Sequence, residues 1–219
     1  MALPPKLKGH RLTFTDSVAY AASYEPLHTL EFYLDYVCPF SAKMFNTLTN
    51  VTTHIRANPE LRTRLQIIFR QQIQPWHPSS TLVHEAALAV QRLTAGDAGK
   101  FWIFSADLFR NQASFFDEAV VNETRSQTYR RLARLAAESV GVDEAEMCRL
   151  LEVKQGQGGD EAKNAGNAVT GDVKTIVKMA RLTGVHVTPT VLFNGVVVGE
   201  ISSGWSETQW EEWLERNIV

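Results

Sequence analysis

The chain has 219 residues, 44% hydrophobic and 21% charged, with a net charge of -2. This is the balance of an ordinary globular protein, long enough for one domain or for a domain with a large insertion. There is no basic run to support a nucleic-acid surface, and no apolar run as long as a membrane span. Met1 to His10 lack the apolar core of a secretion signal. With two cysteines, Cys38 and Cys148, there is no disulfide framework, so a reducing, cytoplasmic setting is expected.

Residues 1–28 carry Pro4, Pro5, Gly9 and Pro26 with little periodicity. They read as a surface-hugging N-terminal arm, with a short strand near Leu12-Thr13-Phe14. Residues 29–36 form a short alternating apolar stretch that predicts a first strand. Met44, Leu48, Val51 and Ile55 recur at helical spacing and predict a helix over 38–57. Asn58-Pro59 stops it, because the residue before a proline avoids helical geometry. Leu65 to Phe69 predict a second, largely buried strand. A strand–helix–strand unit of this kind makes a parallel pair, with both strands finishing at one sheet edge.

From residue 79 to 152 the pattern is helical. Val83, Ala86, Ala87 and Val90 mark one apolar face; Phe101, Phe104, Leu108 and Phe109 mark another. Tyr129, Leu132, Ala133, Ala136 and Val140 mark a third, closed by Gly141. Asp143 caps a short helix carrying Met147 and Cys148. These stripes read as core rather than as a cofactor box. Residues 154–171 are rich in Gly and Asn and read as a flexible loop. Val173 to Ala180 predict another helix, ended by Gly184. Asn194-Gly195 between two apolar runs is a hairpin signal. Trp210, Trp213 and Leu214 mark a last amphipathic helix capped by Ser206.

Chemistry concentrates where the first strand ends, at Cys38-Pro39-Phe40-Ser41. Pro39 suits a first helical position, so Cys38 falls at or next to the N-cap. Helix N–H groups and the positive end of the dipole then favour thiolate, the nucleophilic form. The alternative is a small buried apolar residue. Ligand sites in open α/β sheets lie beyond the carboxyl ends of strands. The Gln74-Pro75-Trp76-His77-Pro78-Ser79 loop should therefore lie near Cys38. Trp76 and His77 could line a pocket there, or serve as an apolar plug and a solvated side chain. Cys148 reads as structural. His77, His84 and His186 do not form a metal-ligand spacing, so no metal is expected.

Cys38-Pro39-Phe40-Ser41 combines with Val187-Thr188-Pro189-Thr190 and Asn194-Gly195 in a definite order: strand, helix, strand, helical insertion, helix, hairpin, helix. This order resembles the α/β thioredoxin fold in its DsbA-like branch, with a mixed central sheet of about four strands and an inserted all-helical subdomain. The likeness covers roughly residues 29–217. It implies an arm over 1–28, a thioredoxin-like domain over 29–78 and 172–219, and a helical insertion over 79–171. It also implies that Pro189 is cis and faces Cys38, and that the backbone of Thr188, beside Val187, pairs with a substrate or glutathione.

A dithiol member of that branch has a cysteine where this chain has Ser41. A lone thiol forms a mixed disulfide that an external thiol must break, and glutathione is the candidate. Kappa-class glutathione transferases and 2-hydroxychromene-2-carboxylate isomerases share the architecture, with a hydroxyl where Cys38 stands. Ser41 is read as a hydrogen-bond donor to the thiolate, or else as simple turn solvation. The first expectation is a monothiol oxidoreductase or glutathione transferase using Cys38 and Ser41. Pro39, Phe40, Trp76, His77, Val187, Thr188 and Pro189 would shape the binding site. Glutathione would be a co-substrate, no cofactor would be resident, and a homodimer is left open. The alternatives are a glutathione-dependent isomerase of a small aromatic substrate and a non-enzymatic binding or redox-sensing protein.

Overall fold

A computed structural model describes residues 3–15, 27–153 and 163–218. The centre of the sheet is β2 (His28–Leu34). It runs parallel to β3 (Leu65–Gln71), with Phe32 opposite Phe69. Between them lie α1 (Pro39–Ala57) and α2 (Pro59–Arg64). Asn58 does end the first helix, but it also starts a second. Its side chain caps α2 by accepting from the Glu60 and Leu61 N–H groups, with Pro59 at the first helical position.

The opposite side of β2 pairs antiparallel with β4 (Thr190–Phe193), which turns at Asn194-Gly195 into β5 (Val196–Val197). Both turn residues have positive φ, 50° and 85°, as the hairpin requires. On the other edge, β1 (Arg11–Thr13) pairs antiparallel with β3. The sheet therefore has five strands, one more than the expected four, in the order β1-β3-β2-β4-β5. The added strand is the short one expected near Leu12-Thr13-Phe14, which joins the sheet instead of staying in a surface arm. The arm also buries Leu7 and His10 in the body of the protein. Part of that arm, residues 16–26, lies outside the described residues.

The helical unit contains α3 (Ser80–Leu93), α4 (Ala98–Arg110), α5 (Asp117–Val120), α6 (Arg125–Val140) and α7 (Glu144–Leu151). A 3-10 turn over Gln112–Phe115 precedes α5. Asp143 caps α7, and Gly141 ends α6 with φ 69°. The chain returns through α8 (Thr170–Thr183), β4 and β5 to α9 (Glu207–Asn217). Ser206 and Gln209 close a capping box at the start of α9. Half of the predicted loop over 154–171, residues 154–162, lies outside the described residues, and α8 takes its last two positions, Thr170 and Gly171. Among the described residues, no helix is long and apolar enough to cross a membrane.

The alternation in β2 does not mark a solvent face. Glu31 and Asp35 are both buried. A central strand of a sheet covered by helices has no wet side. Glu31 is held by Arg70 from β3, with Nε to Oε2 at 2.6 Å.

The helical unit has no separate core. One apolar cluster runs from β2 and β3 through α1 into α3, α4, α6 and α7. Phe69 sits at the join. Its ring meets Tyr36 at 5.3 Å, Phe101 at 5.7 Å, Trp102 at 6.0 Å and Phe45 at 6.1 Å. Truncating a buried phenylalanine removes its transfer energy and leaves a cavity, at a cost of about 3–5 kcal/mol. Phe69→Ala should therefore lower the stability of sheet and helical unit together, in one cooperative denaturant transition seen alike by far-UV and tryptophan signals. Two separate transitions would show that the cores are independent.

Candidate functional site

Cys38 is the N-cap of α1, and Pro39 takes the first helical position. The residue is 5% exposed, and its thiol makes no capping bond to the helix. Instead it donates to the Thr188 carbonyl at 3.7 Å. The sulfur thus leans across to the loop before β4, and not onto the helix N–H groups as expected. The Thr188–Pro189 peptide bond is cis. The carbonyls on this turn are also held from the helical unit, where Gln112 Nε2 donates to Tyr36 O at 2.9 Å and to Cys38 O at 3.4 Å. The Tyr36 hydroxyl bonds Ser105 at 2.8 Å.

Beneath the turn lies Asp35, whose side chain is fully buried. Its Oδ1 accepts from Val37 N–H at 2.8 Å and from the Ser80 hydroxyl at 2.9 Å. Its Oδ2 accepts from Gln74 N–H at 2.9 Å and from His77 Nδ1 at 3.1 Å. His84 Nε2 stands 3.6 Å from Oδ1. Burial by itself would raise the carboxyl pKa. The His84 ring, the Val37 N–H and His77 outweigh it and hold Asp35 at about 2. Asp35 is therefore ionised and acts only as an acceptor. Its backbone belongs to the same knot, since Cys38 N–H donates to Asp35 O at 3.1 Å.

The network continues inward. His84 Nδ1 meets Gln71 Oε1 at 2.8 Å, and Gln71 Nε2 meets His10 Nε2 at 2.8 Å. Burial pushes His10 down to about 3, so it is neutral. It stacks on Phe101 with ring centroids 4.0 Å apart.

Ser41 is fully buried, and its hydroxyl accepts from Asp35 N–H at 3.2 Å. Among the described residues it makes no hydrogen bond to Cys38, so the expected support of the thiolate is absent here. The residue one helical turn on from the N-cap points back to the strand end and helps fix Asp35. Thr188 is more engaged than the resemblance implies. In the amide orientation that satisfies both groups, Gln74 Nε2 donates to His186 O, and its Oε1 accepts from Thr188 N–H, each at 3.2 Å. A substrate strand pairing with Thr188 N–H would have to displace Gln74.

Beside the motif opens a cleft of about 640 Å³. Val37, Pro39 and His77 form one side. Ala113, Phe116, Asp117, Glu118 and Ala119 form the other. Trp76 does not line it. That side chain is 59% exposed, with its ring centroid 6.1 Å from that of His77. Phe40 and Val187 are also exposed, 63% and 58%. Cys148 lies apart from this turn, half-buried on α7 in the helical unit. Its thiol pKa is raised by burial and by Glu144. Among the described residues, no group of three or more His, Cys, Asp and Glu side chains could hold a metal ion.

The sequence reading missed Asp35, Gln74, Ser80 and His84 as site residues. A carboxylate three positions before Cys38, at the end of a strand, was the available signal. It named no residue of the far wall of the cleft, because residues 111–124 carry no regular apolar period.

No family model and no curated protein matches the chain. Solved structures do. A candidate protein-disulfide isomerase from Pseudomonas syringae is 23% identical with a TM-score of 0.65, covering 86% of this chain and 94% of that one. BdbD from Bacillus subtilis is 17% identical with a TM-score of 0.62, covering 97% and 94%. The disulfide bond oxidoreductase DsbG from Mycobacterium tuberculosis is 18% identical with a TM-score of 0.61, covering 95% and 88%. The chain has the thioredoxin fold in its DsbA-like form, with the helical unit inserted between β3 and α8.

Asp35 also sets an acid limit. Its folded pKa, about 2, lies below the ordinary 3.8. The stability this adds is complete above about pH 4 and is lost as pH falls toward about 2. It amounts to roughly 2–3 kcal/mol. Asp35→Asn should be less stable than the parent at pH 7 by about that amount, with the two converging near pH 2 in urea titrations. Curves that stay parallel across that window would show that Asp35 is not held ionised by the fold.

Proposed function

We propose that the chain is a thiol–disulfide oxidoreductase that works through Cys38 alone, with an external thiol closing each turnover. The observation that carries this is a lone cysteine at a helix N-cap, its thiol turned onto the carbonyl of the residue before a cis proline. Ser41 sits where a resolving thiol would stand, and Cys148 is on α7 in the helical unit. The similar structures support the reaction class, since two of them are a disulfide bond oxidoreductase and a candidate protein-disulfide isomerase.

A Cys38 thiolate would attack a disulfide and form a mixed disulfide. A thiol from solution would then break it. Glutathione is the external thiol we propose, because it is the bulk thiol of reducing compartments. The exposed side chains of Phe40, Trp76 and Val187 favour a peptide or protein disulfide as substrate, because they set apolar surface around the motif.

The cleft favours a second reading, glutathione transfer to a small apolar electrophile or isomerisation of a small aromatic compound. At about 640 Å³ it lies within the range of small-molecule sites, and Val37, Pro39, Ala113 and Phe116 give it apolar walls.

Two assays separate these readings. Glutathione-dependent reduction of hydroxyethyl disulfide tests the first; conjugation of 1-chloro-2,4-dinitrobenzene tests the second. The oxidoreductase should turn over the disulfide and leave the aryl chloride near its background rate. Cys38→Ser should lower the disulfide rate by about a hundredfold or more. Cys148→Ala should stay within about twofold of wild type. Aryl conjugation without disulfide turnover would favour the second reading. Turnover in neither assay would leave a thioredoxin fold used for binding or redox sensing.

A further inference from the structure

Asp35 and His77 form a pair that the oxidoreductase reading leaves unused. Asp35 is ionised and can only accept, so at 3.1 Å the proton between them sits on His77 Nδ1. In the neutral ring that leaves the lone pair on Nε2. The ring is 22% exposed and lines the cleft with Val37 and Pro39, the two neighbours of Cys38. Its backbone is fixed at both ends: His77 N–H donates to Gln74 O at 3.1 Å, and His77 O accepts from Ser80 N–H at 3.0 Å. A solvated surface histidine needs none of this. A buried carboxylate that selects one tautomer and one orientation is how a histidine is prepared to take a proton.

We infer that His77 is the general base of the resolving step, accepting the proton of the external thiol that comes into the cleft, with Asp35 as its positioning residue. This rests on the Cys38 oxidoreductase reading. The external thiol gives its proton to His77 Nε2. Its thiolate attacks the outer sulfur of the Cys38 mixed disulfide. A new S–S bond forms there, and the bond to Cys38 breaks with the electron pair left on the Cys38 sulfur. The external thiol is oxidised, Cys38 is reduced, and the imidazolium returns the proton to water. Other charges also face the ring: His84 on α3 stands behind Asp35, and Asp117 and Glu118 on α5 line the opposite wall of the cleft.

The test uses Cys148→Ala protein carrying glutathione on Cys38, mixed with 2-mercaptoethanol. Acid-quenched mass spectrometry follows the appearance of free Cys38. Between about pH 5 and 8 the rate should rise less steeply than the same thiol's attack on free oxidised glutathione, because a base in the site takes the proton that attack in free solution must first lose to water. His77→Ala should slow it by about tenfold or more at pH 7 and restore the steeper rise of the solution reaction. Added imidazole should restore much of the loss, which a merely structural role would not allow. Asp35→Asn, where it folds, should also show the steeper rise with His77 still present. If it fails to fold, His77→Ala and imidazole carry the test. An unchanged rate and pH profile in His77→Ala would overturn the assignment. So would a slowed variant that imidazole leaves slow. If Cys38 takes up no glutathione at all, the oxidoreductase reading fails, and this one with it.

Discussion

A carboxylate buried at the end of the central strand holds the site together. Asp35 collects hydrogen bonds from the turn that carries Cys38, from the loop after β3 and from the start of α3. Burying an unpaired charge would cost several kcal/mol. Four donors at 2.8–3.1 Å and the nearby His84 offset that cost, and charge-assisted bonds of this kind are the strong ones. The same bonds therefore set both stability and geometry. They fix where the strand stops, where α1 begins and which way His77 faces.

The covalent order of the chain makes this possible. In a parallel pair, β2 and β3 end at one edge, so the residues that follow each strand are brought together. Asp35 to Cys38 come from the first strand end, and Gln74 to Ser80 from the second. The loop before β4 arrives at the same edge because β4 runs antiparallel to β2 and begins there. Gln74 joins the second segment to this third one through His186 and Thr188. Cys38 closes the ring by donating to Thr188 O. The helical unit adds Gln112 above and the far wall of the cleft.

Much of this was legible in the sequence because it depends on local rules. Pro39 after Cys38 located a helix start, and Asn194-Gly195 located a hairpin, since both reflect backbone preferences of single residues. The parallel pair then placed the His77 loop near Cys38. What was not legible depends on packing. Glu31 and Asp35 look like the polar face of a half-wet strand, and only the helices covering both sides of the sheet show that they are buried. Ser41 looked like a partner for the sulfur by its position one turn into α1. Its hydroxyl bonds to Asp35 N–H instead, because the strand end passes directly behind it. The short turns at 112–120 follow no period, so the cleft wall they form had no signal.

The central claim is that one thiol acts without an internal partner. The direct measurement is the equilibrium of the reduced protein with mixtures of reduced and oxidised glutathione, read by intact mass. A lone reactive Cys38 gives one glutathione per chain, and the ratio of modified to free protein rises with the first power of oxidised over reduced glutathione. Cys38→Ser removes the adduct. An internal Cys38–Cys148 disulfide, with its second-power dependence on reduced glutathione, would contradict the claim. A chain that stays unmodified throughout would contradict it equally.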